Sequence, residues 1–298
     1  MALWTGFWHS ARAAGIPAPV TASGSLTEAV SRPLIKVSKR HEGNVLHFYV
    51  ENMELADVTA TFEFGLVNLA GSTNFPYTAT FPPHQTTEAF SLSPICLDQE
   101  WGYAMTNHCT LGSKGAVHDN SYVYTLPYSA GKTYRVSQGY DGKFSHKGTE
   151  RFAIDWEMPQ GTPVLAARGG LVIDVKDDSS EGGPDRKFLP NANYVLIQHP
   201  DGTLGKYAHL LKGVARVRPG QFVEPGALIG LSGNTGFSSG PHLHFIVYRT
   251  TSGMERESLP AKFRVQDQTA ATLQQGRVYR APQILLASDR RQNAPKAN

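Results

Sequence analysis

The sequence is short of cysteine, of long apolar runs, of net charge and of helical periodicity, and each shortage removes a class of protein. Two cysteines in 298 residues are too few for a disulfide-stapled scaffold and lack the paired spacing of a thiolate zinc site. No stretch approaches the ~20 apolar residues that a membrane span needs. A formal net charge of +3 is small and dispersed, which argues against nucleic acid as a partner, and no nucleic-acid-binding motif is present. Amphipathic helical patterns of any length are hard to find.

The chain does contain 29 glycines and 19 prolines, together with many Thr, Tyr and Val residues in short apolar runs. That composition reads as all-β with abundant turns. Hydrophobic residues at 40% and charged residues at 18% are ordinary for a folded protein. The length suggests two domains, each able to bury a core.

Residues 1–30 form an N-terminal segment with an apolar run from Ala2 to Trp8 but no basic start, at best a poor or truncated signal peptide. Residues 31–128 alternate or cluster β-formers over 33–39, 44–52, 57–66, 77–82 and 86–92, with Asn68-Leu69-Ala70-Gly71 as a turn, and predict a β-sandwich-like module. Cys96 and Cys109 flank Trp101–Met105, a segment able to turn back on itself. A disulfide across neighbouring strands and two unpaired thiols both stay open. Residues 129–275 carry the candidate chemistry, and 276–298 read as a polar C-terminal tail.

The candidate chemistry centres on Gly233–Gly240 and the following Pro241-His242-Leu243-His244-Phe245. Side chains alternate along a strand, so His242 and His244 share one face while Leu243 points to the core. An isolated His-x-His is more often a polar surface pair, and metal binding needs further ligands. Upstream stand His146, Asp155 nine residues later, and His209 in Tyr207-Ala208-His209-Leu210. The other histidines have no partner at ligand spacing and read as surface or packed residues.

His146, Asp155, Gly161-Thr162-Pro163-Val164, Tyr207–Leu210, Pro219–Val223, Gly226–Gly230 and Gly233–His244, in this order, resemble the lysostaphin/LytM-type zinc metallo-endopeptidases over roughly 134–263. The resemblance implies an antiparallel β peptidase domain with one Zn2+ on His146, Asp155 and His244, and with His209 and His242 as catalytic residues. His146 and Asp155 stand further apart than in the most familiar members, which leaves Glu150 and Glu157 as alternative carboxylates. The lead of Phe152–Asp155 into Gly161–Val164 favours Asp155.

Two imidazoles and one carboxylate leave zinc a position for water, whose pKa falls towards about 7. One free histidine then serves as general base and the other as oxyanion stabiliser, ordered here as His242 and His209. The implied substrate is the stem-peptide crosslink of bacterial peptidoglycan, with a periplasmic or secreted location. Asn193 and Tyr207 are candidate substrate contacts, with turn-forming and core-packing roles as the alternative. Competing readings are a non-catalytic wall-binding or amidase-regulating protein and a zinc peptidase acting on Gly-rich proteins. The N-terminal module is left open as wall binder, packing partner or autoinhibitory cap.

Overall fold

The computed structural model describes residues 33–266 and 268–282. The N-terminal segment 1–30 and the tail from 283 lie outside the described residues. The chain is nearly all β, with mostly antiparallel pairings, and groups into two compact units. One comprises residues up to 118 with 201–204 and 248–257; the other comprises 119–200, 205–247 and the residues from 258 onward.

The first unit holds a four-stranded sheet in the order Ile35–Glu42, Val45–Asn52, Thr86–Pro94, Leu69–Gly71, and a three-stranded sheet in the order Tyr77–Phe81, Val58–Val67, Gly102–Leu111. Val45–Asn52 alternates strictly between half-buried and buried positions, as a strand with one face on a core must. Its Phe48 meets Phe64 edge-on at 5.6 Å, and Phe62 meets Phe90 at 5.3 Å. Aromatic edges from both sheets therefore fill the interior between them, the packing of a sandwich.

Two local expectations change here. Leu69–Gly71, expected as a turn, is a short strand against Thr86–Pro94. Gly102–Leu111 does not turn back but runs straight along Val58–Val67, with Cys109 opposite Ala60. Cys96 lies beyond the end of Thr86–Pro94, and both thiols are free.

The second unit is built on a nine-stranded sheet. Its order is Phe222–Val223, Gly170–Lys176, Tyr194–Gln198, Leu204–Ala208, His242–Thr250, Ile154–Glu157, Thr133–Gln138, Val278–Arg280, with Arg256–Leu259 attached to His242–Thr250. The core beneath it includes Trp156, Tyr124, Tyr128, Tyr207, Phe245 and Phe263, all essentially without exposure. Residues 122–128, expected at the end of the β-sandwich-like module, fall in this unit. Val123–Tyr124 pairs in parallel with Lys262–Phe263, and Tyr128 donates its hydroxyl to Tyr279 O at 2.8 Å.

The expected tail from 276 likewise begins with structure. Val278–Arg280 pairs with Thr133–Arg135, and Ala281 is buried. Among the described residues no helix is long and apolar enough to cross a membrane.

Candidate metal centre and catalytic histidines

The register of two central strands creates the site. Asp155 on Ile154–Glu157 stands directly opposite His244 on His242–Thr250, and Trp156 opposite Leu243. Cross-strand partners share a face, so Asp155 and His244 project to one side while Trp156 and Leu243 enter the core. His244 Nδ1 lies 2.8 Å from Asp155 Oδ1. On its other flank Asp155 pairs with Gln138, whose Nε2 donates to Asp155 Oδ2 at 3.0 Å.

His146 arrives from a loop rather than a strand, and Gln138 organises that loop too. Gln138 Oε1 accepts the backbone N–H groups of Phe144 and Ser145, each at 3.0 Å, which aims the next residue inward. His146 is fully buried. Its Nδ1 faces Gly139 O at 2.9 Å, so the neutral ring donates there and carries its lone pair on Nε2. That Nε2 is buried without a hydrogen bond, 3.1 Å from Asp155 Oδ2.

Ligand atoms of His146, Asp155 and His244 all lie within 4.8 Å of one another. A buried lone pair on His146 Nε2 faces a carboxylate oxygen with no proton donor between the two, which is costly unless a cation sits there. Two nitrogens and one oxygen are also a donor set suited to zinc with an open position. The residues fit the ion.

Of the alternative carboxylates, Glu157 is bound to Arg135 on the surface. Glu150 ends the single 3-10 turn Gly148–Glu150, and its Oε2 lies 3.2 Å from His244 Nε2, on the side of the ring turned from Asp155.

His209 and His242 complete a cluster of four rings. Their centroids are 4.4 Å apart, and those of His209 and His244 are 5.7 Å apart. His209 follows the end of Leu204–Ala208 with φ at 63°, a left-handed conformation that costs a non-glycine residue of order 1–3 kcal/mol. The bend brings its Nδ1 within 2.7 Å of Thr235 O. His242 Nδ1 faces Gly240 O at 2.8 Å and Ser238 Oγ at 3.1 Å. Each ring gives its Nδ1–H to a backbone carbonyl and so presents Nε2 as the free nitrogen.

The loop supplying those carbonyls depends on glycine. Gly236 has φ at +78°, and a Cβ there would stand 2.5 Å from the Cβ of Ala192.

Charge follows from this packing. Burial alone would raise Asp155, but the close approach of His146 and the hydrogen bond with His244 outweigh it and hold its carboxyl well below the usual carboxylate range. Burial opposes charge on His244, yet the hydrogen bond and charge of Asp155, then those of Glu150, push it up to about 9. His209 goes the other way: burial, then the charges of His242 and His244, hold it well below the ordinary imidazole range.

Asn193 and Tyr207, the candidate substrate contacts, are fully buried. Asn193 bonds Ser179 O, the Ser179 N–H and Leu210 O, and the Tyr207 hydroxyl accepts the Ala167 N–H at 2.7 Å. Both brace the scaffold under His209 and offer no surface. Gln138 is the residue that sequence reasoning passed over, since a lone glutamine one strand away from an aspartate carries no spacing signal.

Residues 149–256 match the model for peptidase family M23. This chain carries an M23 peptidase domain. Over 122 residues it is 38% identical to the peptidoglycan DD-endopeptidase ShyA of Vibrio cholerae, covering 40% of this chain and 26% of that protein. Over 133 residues it is 30% identical to lysostaphin of Staphylococcus simulans, covering 44% of this chain and 24% of that protein. The crystallised catalytic domain of that lysostaphin aligns at 26% identity over 43% of this chain and 87% of the domain, with a TM-score of 0.30. The matched region spans about a quarter of the length of the curated relatives.

Proposed function

We propose that the M23 domain is a zinc-dependent endopeptidase that hydrolyses peptide crosslinks of bacterial peptidoglycan, acting in the cell envelope or outside the cell. The observation that carries this reading is the buried His146–Asp155–His244 cluster with the rings of two further histidines, His209 and His242, packed beside it. The matches to an M23 model and to a DD-endopeptidase support the substrate class.

His146 Nε2, the Asp155 carboxylate and His244 Nδ1 would hold the ion. When bound, zinc polarises a scissile carbonyl and makes a neutral-pH hydroxide available. The protein's own part is proton traffic and orientation. His209, held neutral with its Nδ1–H on Thr235 O, offers Nε2 as the acceptor for the water's proton. His242, anchored by Gly240 O with its ring 4.4 Å from that of His209, in its protonated form hydrogen-bonds the oxyanion or protonates the leaving amine. This order reverses the one expected from sequence, because burial and neighbouring positive charge keep His209 in the neutral form that a base requires.

The experiment is digestion of purified sacculi by the full chain, with and without chelator, followed by mass analysis of released fragments. Chelator-sensitive release of crosslink fragments supports the reading, and the masses identify the bond. Zinc binding without any release would leave a wall-binding role. Release from Gly-rich proteins but not from sacculi would move the substrate class.

A further inference from the structure

His244 is held between two carboxylates, one on each ring nitrogen. Asp155 Oδ1 stands 2.8 Å from Nδ1 and Glu150 Oε2 3.2 Å from Nε2. A neutral imidazole has one N–H, and the side on which it sits decides which nitrogen is free to bind a cation. We propose that Glu150 is a positioning residue for His244: by accepting the Nε2–H it leaves Nδ1 as the nitrogen that yields its proton to a cation and holds it turned toward Asp155. The inference rests on reading those three residues as a divalent-cation site.

The turn Gly148–Glu150 is built to hold this contact. Glu150 O accepts the Ala153 N–H at 3.0 Å, locking the turn onto the start of the Asp155 strand. The neighbouring Arg151 pairs with Asp141 at 2.7 Å. The Glu150 side chain is about a quarter exposed and the His244 side chain 13%, so solvent weakens the contact little. A carboxylate accepting the outer N–H of a ligating histidine fixes the ring and raises its basicity, and loss of such a partner commonly lowers metal affinity by ~10–100-fold.

The test is zinc affinity of the full chain, by competition with a chromophoric chelator, in wild type, Glu150→Ala, Glu150→Gln, Glu150→Asp and His244→Ala. Glutamine keeps an oxygen that accepts the Nε2–H; aspartate keeps the charge but withdraws it from the ring by one methylene. The expected order is wild type close to Glu150→Gln, with Glu150→Asp and Glu150→Ala weaker by ~10–100-fold. An NMR signal for a slowly exchanging His244 Nε2–H should appear in the first two zinc-loaded proteins and be lost in the other two.

Equal affinities for Glu150→Ala and wild type would overturn the inference and leave the cation site standing. So would Glu150→Asp binding as tightly as Glu150→Gln, which would make charge rather than contact the cause. If wild type binds no zinc, or His244→Ala binds as well as wild type, the cation site falls and the inference with it.

Discussion

Gln138→Glu changes one atom type at the centre of the site and should convert a support into a pH-dependent fault. The carboxylate oxygen replacing Oε1 can still accept the Phe144 and Ser145 amides. The other replaces a donor that stands 3.0 Å from Asp155 Oδ2. Two like charges at that distance repel by about 5–6 kcal/mol at an effective dielectric of about 20. That equals about 4 pKa units, enough to move the introduced carboxyl from about 4.3 to about 8 in the folded protein.

A folded-state pKa raised above the unfolded value means the native state binds the extra proton. The variant should therefore match wild type below about pH 4.3 and lose about 1.4 kcal/mol per pH unit above it. The deficit reaches about 3–4 kcal/mol at pH 7 and levels off above pH 8. Urea denaturation of chelator-treated wild type and variant between pH 4 and 9 measures it. A deficit that is flat with pH, or absent at pH 7, would refute the claim that Gln138 donates to Asp155.

Two further outcomes follow from the same geometry. In metal-free protein the His244 pKa of about 9, against about 6.5 unfolded, gives stability that is fully present below pH 6.5 and lost as pH rises through 9. Its size is roughly 2–4 kcal/mol, and it should vanish in His244→Ala; an unchanged pH profile in that variant would contradict it. Gly236→Ala meets both a positive φ and Ala192 and should cost about 1–3 kcal/mol, releasing the Thr235 carbonyl from His209. An unaltered melting temperature would show that the loop gives way freely.

The peptidase half was largely legible because its pattern is local. His242 and His244 occupy alternate positions on a strand, and the glycine-rich loop before them needs conformations that few other residues adopt. The carboxylate was harder to choose, since sequence spacing says nothing of cross-strand register. Pairing of Ile154–Glu157 with His242–Phe245 brings Asp155 to the cluster and sends Glu157 to Arg135, while a single helical turn carries Glu150 to the outer face of His244.

Asn193 and Tyr207 illustrate a related point. Polar residues beside a motif look like substrate contacts until their hydrogen bonds are seen to point inward. In the other half, Gly102–Leu111 escaped because polar residues interrupt its apolar positions, and its length is set by the partner strand Val58–Val67. Val278–Arg280 escaped because three residues make a strand only when an edge such as Thr133–Arg135 is waiting.

The most direct test is zinc content measured beside sacculus hydrolysis for alanine variants of His146, Asp155, His244, His209 and His242. The account predicts that the first three lose both zinc and hydrolysis. His209→Ala and His242→Ala should keep zinc and lose activity by ~100-fold or more. Zinc loss from the His209 or His242 variant, or full activity in the His244 variant, would contradict it.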